Sequence, residues 1–415
     1  MRLINLINLF YKDLRRQRKR ASLTVLSLAW GTLTIVMLLS FGEGINTQFS
    51  KGSRGLGEGI VILSGGQTQI PYQGLPKGRR IMFKESDVEL LKQRLPEIEL
   101  IGGEYDRWAN TVSHDETTVT AKVNGCYPSF DSMRSHFPQA KGRFINELDM
   151  QLKRRVAFLG NDMKEKLFGT SEAIGKIIHI NTVPFTIIGV MIDKLQLSQY
   201  GGPDAERVVI PATTFQAMFG DRYLDRIIYK PKDPTFAKFI QKKVLAVLGN
   251  KYKFDPEDKQ ALRVWDVIES EEGFTKINMG LAIFMIIIGT LTLIVGGTGV
   301  ANIMYVSVNR RRKEIGIKLA LGARSIYILL QFLLEALIIV VIGGVIGILA
   351  SLLIIGIVRN IPAEGMAWDY IGHPVFSMEI ALITAIILGV IGLFAGYFPA
   401  RRASLLNPIE SLRYE

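Results

Sequence analysis

One cysteine, Cys126, is all the chain has. A lone thiol excludes an intramolecular disulfide and any cysteine-rich metal site, and it leaves the redox compartment open. Histidine is almost as scarce. His114, His136, His179 and His373 are scattered, and no two stand at the i, i+4 spacing of a zinc-binding helix. No Gly-x-Ser-x-Gly elbow is present for a nucleophilic serine. Residues 169–177 come nearest to a phosphate-binding loop, but they carry one residue too many between Gly169 and Gly175 and lack the Ser/Thr that would hold magnesium. Catalysis by these residues alone is therefore not expected, and no metal or cofactor is expected on this chain.

Charge is also missing over long stretches. Residues 21–42 and 277–308 carry none, 325–358 carry only Glu335, and 380–398 carry none. Each run is long enough to cross a bilayer, which takes ~20 apolar residues. A hydrophobic content of 48% over 415 residues, with a mean hydropathy of +0.23, fits a membrane protein with a large polar part.

The net charge is +12. Its cations gather beside the apolar runs, at 15–20, 310–313 and 401–402, as topology signals do. Without a recognition motif this excess points to the lipid bilayer rather than to nucleic acid. The charges place both termini in the cytoplasm of a protein in the inner (cytoplasmic) membrane. In residues 1–20, Leu3, Leu6, Ile7, Phe10 and Leu14 share one helical face, the pattern of an interfacial helix. The run 21–42 exceeds a signal-peptide core and has no Ala-x-Ala site, so it reads as a retained first span.

The expected fold class is an α-helical membrane protein with four transmembrane helices and a large extracytoplasmic α+β domain between the first and second. The domain covers 43–276. Its strand candidates are 60–63, 117–123, 155–159, 176–180, 185–190, 207–210 and 226–229, and its helix candidates 86–94, 161–168, 212–219 and 234–248. Gly-rich patches at 51–59 and 198–204 read as flexible loops. The second span with a protruding stalk is 277–308, the third 325–358, the external loop 359–379, the fourth span 380–399 ending at Pro399, and the tail 400–415. Gly343/Gly347 and Gly392/Gly396 are GxxxG pairs suited to close helix contact, against the plainer reading of lipid-facing glycines.

The connector 309–324 concentrates the functional signal. Arg310, Arg311, Arg312, Lys313 and Lys318 fall within its first ten residues and mark it as cytoplasmic. Ile315/Leu319 and Ile317/Leu321 stand four apart, as on one edge of a helix. Gly322 ends that helix and Ser325 is placed to cap the next. A glycine inside a helix costs about 1 kcal/mol relative to alanine, so Gly316 points to close approach of another backbone rather than to a simple headgroup anchor. Glu335 lies about ten residues inside the third span, where a carboxylate costs ~2.5–3.5 kcal/mol. It needs a partner, from the connector or from polar residues such as Thr290 and Asn302. Structural pairing and gating are both open roles for it.

Residues 296–304 (Gly-Gly-Thr-Gly-Val-Ala-Asn-Ile-Met), 306–323, the run Gln331-Phe332-Leu333-Leu334-Glu335-Ala336, and Pro399-Ala400-Arg401-Arg402 through Asn407-Pro408 resemble the MacB/FtsX-like permease family of ABC transporters. The outer domain is similar to the MacB-like periplasmic core at Lys141-Gly142-Arg143-Phe144, 156–160, 167–169, 174–176 and 185–190. The resemblance covers nearly the whole chain and is weakest over 193–272. It implies a permease subunit that dimerises, as a homodimer or with a paralogous permease, and works with an ABC ATPase subunit that binds ATP and Mg. The helix carrying Arg310, Arg312, Glu314, Ile315, Gly316, Lys318, Leu319 and Gly322 would be the coupling helix seated on that ATPase. ATPase closure would then move the outer domains, by mechanotransmission. The family's macrolide exporter has a fused ATPase, whereas this sequence begins at the interfacial helix, so the expectation is a separate ATPase. Export or extraction of peptides, drugs or lipoproteins, with a periplasmic adaptor, is the leading implication. The alternative is an FtsX-like signalling subunit that activates a cell-wall hydrolase without transport.

Overall fold

The computed structural model describes residues 18–361, 368 and 371–407. The expected interfacial helix, most of it before residue 18, and the tail beyond 407 lie outside the described residues. The chain divides into two compact units, one formed by 49–275 and the other by 1–48 with 276–415.

In chain order the described elements are α1 (Arg18–Leu56), β1 (Val61–Gly65), α2 (Glu85–Arg94), β2 (Ile98–His114), β3 (Thr117–Cys126), α3 (Phe130–Met133), α4 (Glu147–Gln151), β4 (Val156–Leu159), α5 (Asn161–Phe168), β5 (Ile177–Ile180) and β6 (Val183–Val190). There follow β7 (Arg207–Pro211), α6 (Ala212–Phe219), β8 (Arg226–Pro231), α7 (Ala237–Tyr252), β9 (Leu262–Asp266), α8 (Val267–Arg310), α9 (Arg312–Ala320), α10 (Ser325–Arg359) and α11 (Met378–Ser404).

Four helices, α1, α8, α10 and α11, are long and apolar enough to cross a membrane. At ~1.5 Å per residue, the 44 residues of α8 reach ~66 Å, about twice the ~30 Å hydrocarbon thickness. The helix α11 runs through Pro399 to Ser404 rather than stopping at the proline. A membrane helix tolerates the lost N–H where neighbouring groups satisfy the freed carbonyl.

Glycines set how the four helices touch. A Cβ on Gly347 of α10 would lie 2.6 Å from the carbonyl oxygen of Ala29 and 2.5 Å from the Thr32 side chain of α1, and one on Gly343 would meet Leu28 at 2.6 Å. On α11, Gly392 faces Val340 at 3.0 Å and Gly396 faces Ala336 at 2.6 Å, both on α10. On α8, Gly289 faces Ile35 and Gly296 faces Leu28 of α1. All four GxxxG glycines thus lie against helix neighbours rather than against lipid. The seam they close contains Leu28, Ile35, Leu293, Met304, Phe332, Ala336 and Val340, all buried.

The unit 49–275 is built on one nine-stranded sheet in the order β3-β7-β4-β6-β5-β2-β8-β1-β9. The long β2 serves two neighbours on its far side. Its first half pairs with β8 and its second half with β3 and β5. The pairing of β3 with both β2 and β7 closes six strands into a ring. The register shift between Arg107 and Asn110 is a bulge, with Ala109 at φ +58°, and bulges bend and twist strands in this way. Apolar side chains such as Phe130, Phe158, Phe185, Val208, Ile210 and Phe215 fill the interior.

Residues 193–206 form an irregular strap. The strap crosses the outer end of α1, where Leu197 N–H donates to the Gly52 carbonyl at 3.2 Å and a Cβ on Gly55 would overlap the Leu195 carbonyl. Both Gly-rich patches read as flexible loops from sequence are therefore packed segments. Residues 51–56 continue α1, where Gly55 lies against the Leu195 backbone and Gly52 against the Leu197 side chain.

Beneath the strap lies a buried charge cluster. The carboxylate of Asp204, fully buried, takes Arg134 at 2.9 Å, Lys194 at 2.9 Å, Arg207 at 3.3 Å and His136 Nε2 at 3.3 Å. Burial raises the pKa of Asp204, but the adjacent Arg134, Lys194 and Arg207 overcome that and hold it well below the ordinary carboxylate range. Burial pulls His136 down to about 4, so it is neutral at pH 7. Arg134 also donates to the Leu56 carbonyl at the last turn of α1, satisfying an acceptor that a helix end leaves open.

Candidate functional site: the connector and its buried ion pair

The connector is a second, short helix set at a break. The helix α8 ends at Arg310, Arg311 leaves helical geometry at φ −97° and ψ 13°, and α9 runs for nine residues to Ala320. At the far end, Gly322 takes φ +89°, and Ala323 N–H and Gly322 N–H donate back to Lys318 and Leu319 carbonyls at 3.0 and 3.1 Å. A left-handed glycine closing the last turn is the usual helix stop. The N-cap of α10 is Arg324, with no side-chain cap, and Ser325 is the first helical residue, so the serine does not cap as expected.

The helix α9 divides its side chains by face. Ile315 is 2% exposed and belongs to the apolar seam, Gly316 is buried beside it, and Leu319 packs on the same seam. Ile317 and Leu321, four residues apart, face outward at 45% and 83% exposure. Arg310 and Lys313 are exposed. Glu314 and Lys318 form an i, i+4 ion pair at 2.8 Å, worth about 0.3–0.5 kcal/mol at such exposure. The apolar pair turned outward is thus Ile317/Leu321, while Ile315 and Gly316 seat the helix on its own chain. Gly316 is covered by its own chain.

Glu335, one-third of the way along α10, accepts from Arg311 Nη1 at 2.9 Å, and both side chains are under 10% exposed. Gln331, one turn earlier, donates to the same carboxylate oxygen at 3.3 Å, and the Arg311 guanidinium lies 6.0 Å from the Phe332 ring centre. The carboxylate's cationic partner among the described residues is Arg311 of the connector. Arg311 is the residue that the sequence leaves unmarked among five similar cations. The one available signal was its place at the helix break, where a side chain can turn back toward α10. Removing one member of a buried pair generally costs ~3–5 kcal/mol. Chemically the arrangement makes no bonds. It fixes the connector, at its hinge residue, to the next span.

These features define a multi-pass membrane protein with an α+β domain inserted between its first and second spanning helices and a pinned connector between its second and third. A model of the MacB-like periplasmic core domain matches residues 21–246, and one of the FtsX-like permease C-terminal domain matches 286–408. The chain belongs to the MacB/FtsX-like permease family of ABC transporter components. Among curated relatives it is 28% identical over 411 residues to the macrolide export ATP-binding/permease protein MacB of Bdellovibrio bacteriovorus, covering 98% of this chain and 61% of that one. It is 31% identical over 401 residues to the pyoverdine export ATP-binding/permease protein PvdT of Pseudomonas aeruginosa, covering 95% and 56%. The chain thus spans about three-fifths of the length of these relatives. The periplasmic region of MacB from Actinobacillus actinomycetemcomitans aligns with 54% of this chain and 95% of its own length, at 17% identity and a TM-score of 0.43.

Proposed function

We propose that this chain is the permease subunit of a MacB-type exporter in the inner membrane, with both termini cytoplasmic. An ABC ATPase that binds ATP and Mg seats on α9 and moves the outer domain by mechanotransmission. No phosphate loop lies in the 415 residues, and in this reading the nucleotide chemistry belongs to the ABC ATPase. The permease pairs with a second copy or a paralogue, and a periplasmic adaptor receives the substrate. Export is favoured over hydrolase signalling because the matched relatives are named as export proteins.

The observation that carries this reading is the split of α9. Its inner face is fixed to the bundle by Ile315 and the adjacent Arg311–Glu335 pair, and its outer face presents Ile317 and Leu321 to whatever lies beyond. A helix held on one side and apolar on the other can both bind a soluble partner and pass on its movement. Leu321→Glu changes a side chain that is 83% exposed, so membrane insertion should be unchanged. Complex formation with the cognate ATPase, read by co-purification, should fall at least tenfold. Full complex formation and full ATP-dependent export by Leu321→Glu would overturn the assignment of this face.

A further inference from the structure

The charge cluster under the strap does not balance. Lys122, Arg134, Lys194, Arg207 and Arg226 face Glu104, Asp106 and Asp204, all with side chains no more than 20% exposed, and His136 is neutral. Five cations against three carboxylates leave an excess of two positive charges. Asp225, whose carboxylate accepts from the Asp106 N–H at 2.8 Å, sits at the rim beside Arg226, and with it counted the excess is still one positive charge. Burial and the neighbouring arginines pull Lys194 down to about 8, and burial with Arg207 lowers Lys122, as expected where like charges crowd a site.

Carbonyl groups of the strap solvate part of the excess. Lys122 Nζ donates to the Gly201 carbonyl at 3.2 Å besides its 2.8 Å pairing with Asp106, and Arg207 Nη2 donates to the Tyr200 and Gly202 carbonyls at 2.5 and 2.6 Å. Dipoles lower the cost of buried charge without cancelling it. One of the three ammonium donors of Lys122 is left over by these contacts, and the buried Arg207 Nε has no hydrogen-bond partner.

Lys122 and Arg207 line a cavity of about 130 Å³ bounded by the Gly201–Gly202 turn and by Trp108. Trp108 is 60% exposed, and its ring lies 5.0 Å from the Lys122 ammonium. Lys166 and Glu206 also line the cavity, and their 2.8 Å ion pair leaves them neutral together. The volume equals that of about four liquid waters, the size of a carboxylate on a short stem.

We infer that this cavity is a binding site for a carboxylate group, which Lys122 and Arg207 hold by charge-assisted hydrogen bonds while Trp108 covers the attached apolar or aromatic stem. The site stands apart from the connector and does not rest on the coupling proposal. An entering carboxylate supplies the counter-charge that the cluster lacks and engages the donors left over. It also touches the turn of the strap that lies farther along on Gly52 and Gly55.

The test uses the full chain in lipid nanodiscs, titrated with benzoate, with its neutral analogue benzamide and with acetate, by calorimetry and tryptophan fluorescence. Benzoate should bind saturably and benzamide should not. Lys122→Met should weaken benzoate at least tenfold, and Lys122→Arg should restore most of that loss. Trp108→Ala, at an exposed position that leaves the cluster intact, should weaken benzoate several-fold and acetate little. Equal binding of benzamide and benzoate would overturn the charge argument. Absence of saturable benzoate binding, or benzoate binding unchanged in both Lys122→Met and Trp108→Ala, would remove the site altogether.

Discussion

Glu335→Ala is the most informative single change in the membrane unit. It deletes the carboxylate 2.9 Å from Arg311 Nη1 and leaves the guanidinium, 9% exposed, without that counter-charge. A severed buried pair costs ~3–5 kcal/mol, whereas replacing both members by apolar groups of similar size is often neutral. A double-mutant cycle separates the two cases. Glu335→Leu and Arg311→Met should each destabilise by ~3 kcal/mol, and the double variant should lose no more than either single, a coupling of about 3 kcal/mol, as residues in direct contact can show. The assay is reversible unfolding in mixed dodecylmaltoside and SDS micelles, read by circular dichroism, alongside ATPase stimulation by the cognate partner. The double variant should be no less stable than either single yet uncoupled, because Arg311 would no longer be tied to α10. Additive losses, with no recovery in the double variant, would refute the claim that the two side chains act as one joint. A stable double variant with full coupling would refute the claim that the joint transmits anything.

Gly347→Val should fail to insert stably or lose ~3 kcal/mol or more, because its Cβ would press on the Ala29 carbonyl at 2.6 Å, where no rotamer change can give way. Gly389→Ala, in open space on α11, is the matched control and should be near neutral in the same unfolding assay. For the outer domain the folded pKa of His136, about 4, lies below the unfolded value near 6.5. The unfolded state therefore binds the extra proton between those values, so stability is full above pH ~6.5 and falls by about 3 kcal/mol as pH drops toward 4. Replacing His136 with Gln should remove that part of the acid slope in urea unfolding of the full chain, and an unchanged slope would contradict the assignment.

Four apolar runs, their cationic flanks and most domain strands were legible because each is a local pattern, whether an unbroken lack of charge or a period of two. Helices 161–168 and 212–219 were read at the bounds the structure shows for α5 and α6. The strand β2 was missed for a reason that recurs in closed sheets. It carries Gly102–Gly103 and the charged Glu104 and Asp106 in its middle, so its alternation is broken by residues that pair across strands rather than by hydrophobic contrast. The short β9 was missed as well, its alternation broken by the apolar Trp265 and the buried Asp266. At the connector the sequence exposed the helix but not its orientation. Ile315 and Ile317 are alike in chemistry, and only the break at Arg311 decides which of them turns inward.

That orientation bears on how any force on the connector would travel. The helices on either side of it, α8 and α10, meet the same side chain of α1. Leu28, fully buried, is contacted by the Gly296 position of α8 and by the Gly343 position of α10. A Cβ on Gly396 of α11 would in turn press on Ala336, one residue past Glu335. Packed interiors are near crystalline density and do not deform continuously, so neighbours in such contact move together or change partners. With Arg311 tied to Glu335, a push on Leu321 and Ile317 is shared between α8 and α10 at the connector, and both deliver it to α1 at one residue. Without that tie the polar link between the connector and α10 is lost, and the loop at Gly322, a left-handed glycine with open space around it, can absorb part of the displacement. If the connector couples as proposed, the buried pair would set how much of a push on α9 reaches α10 directly.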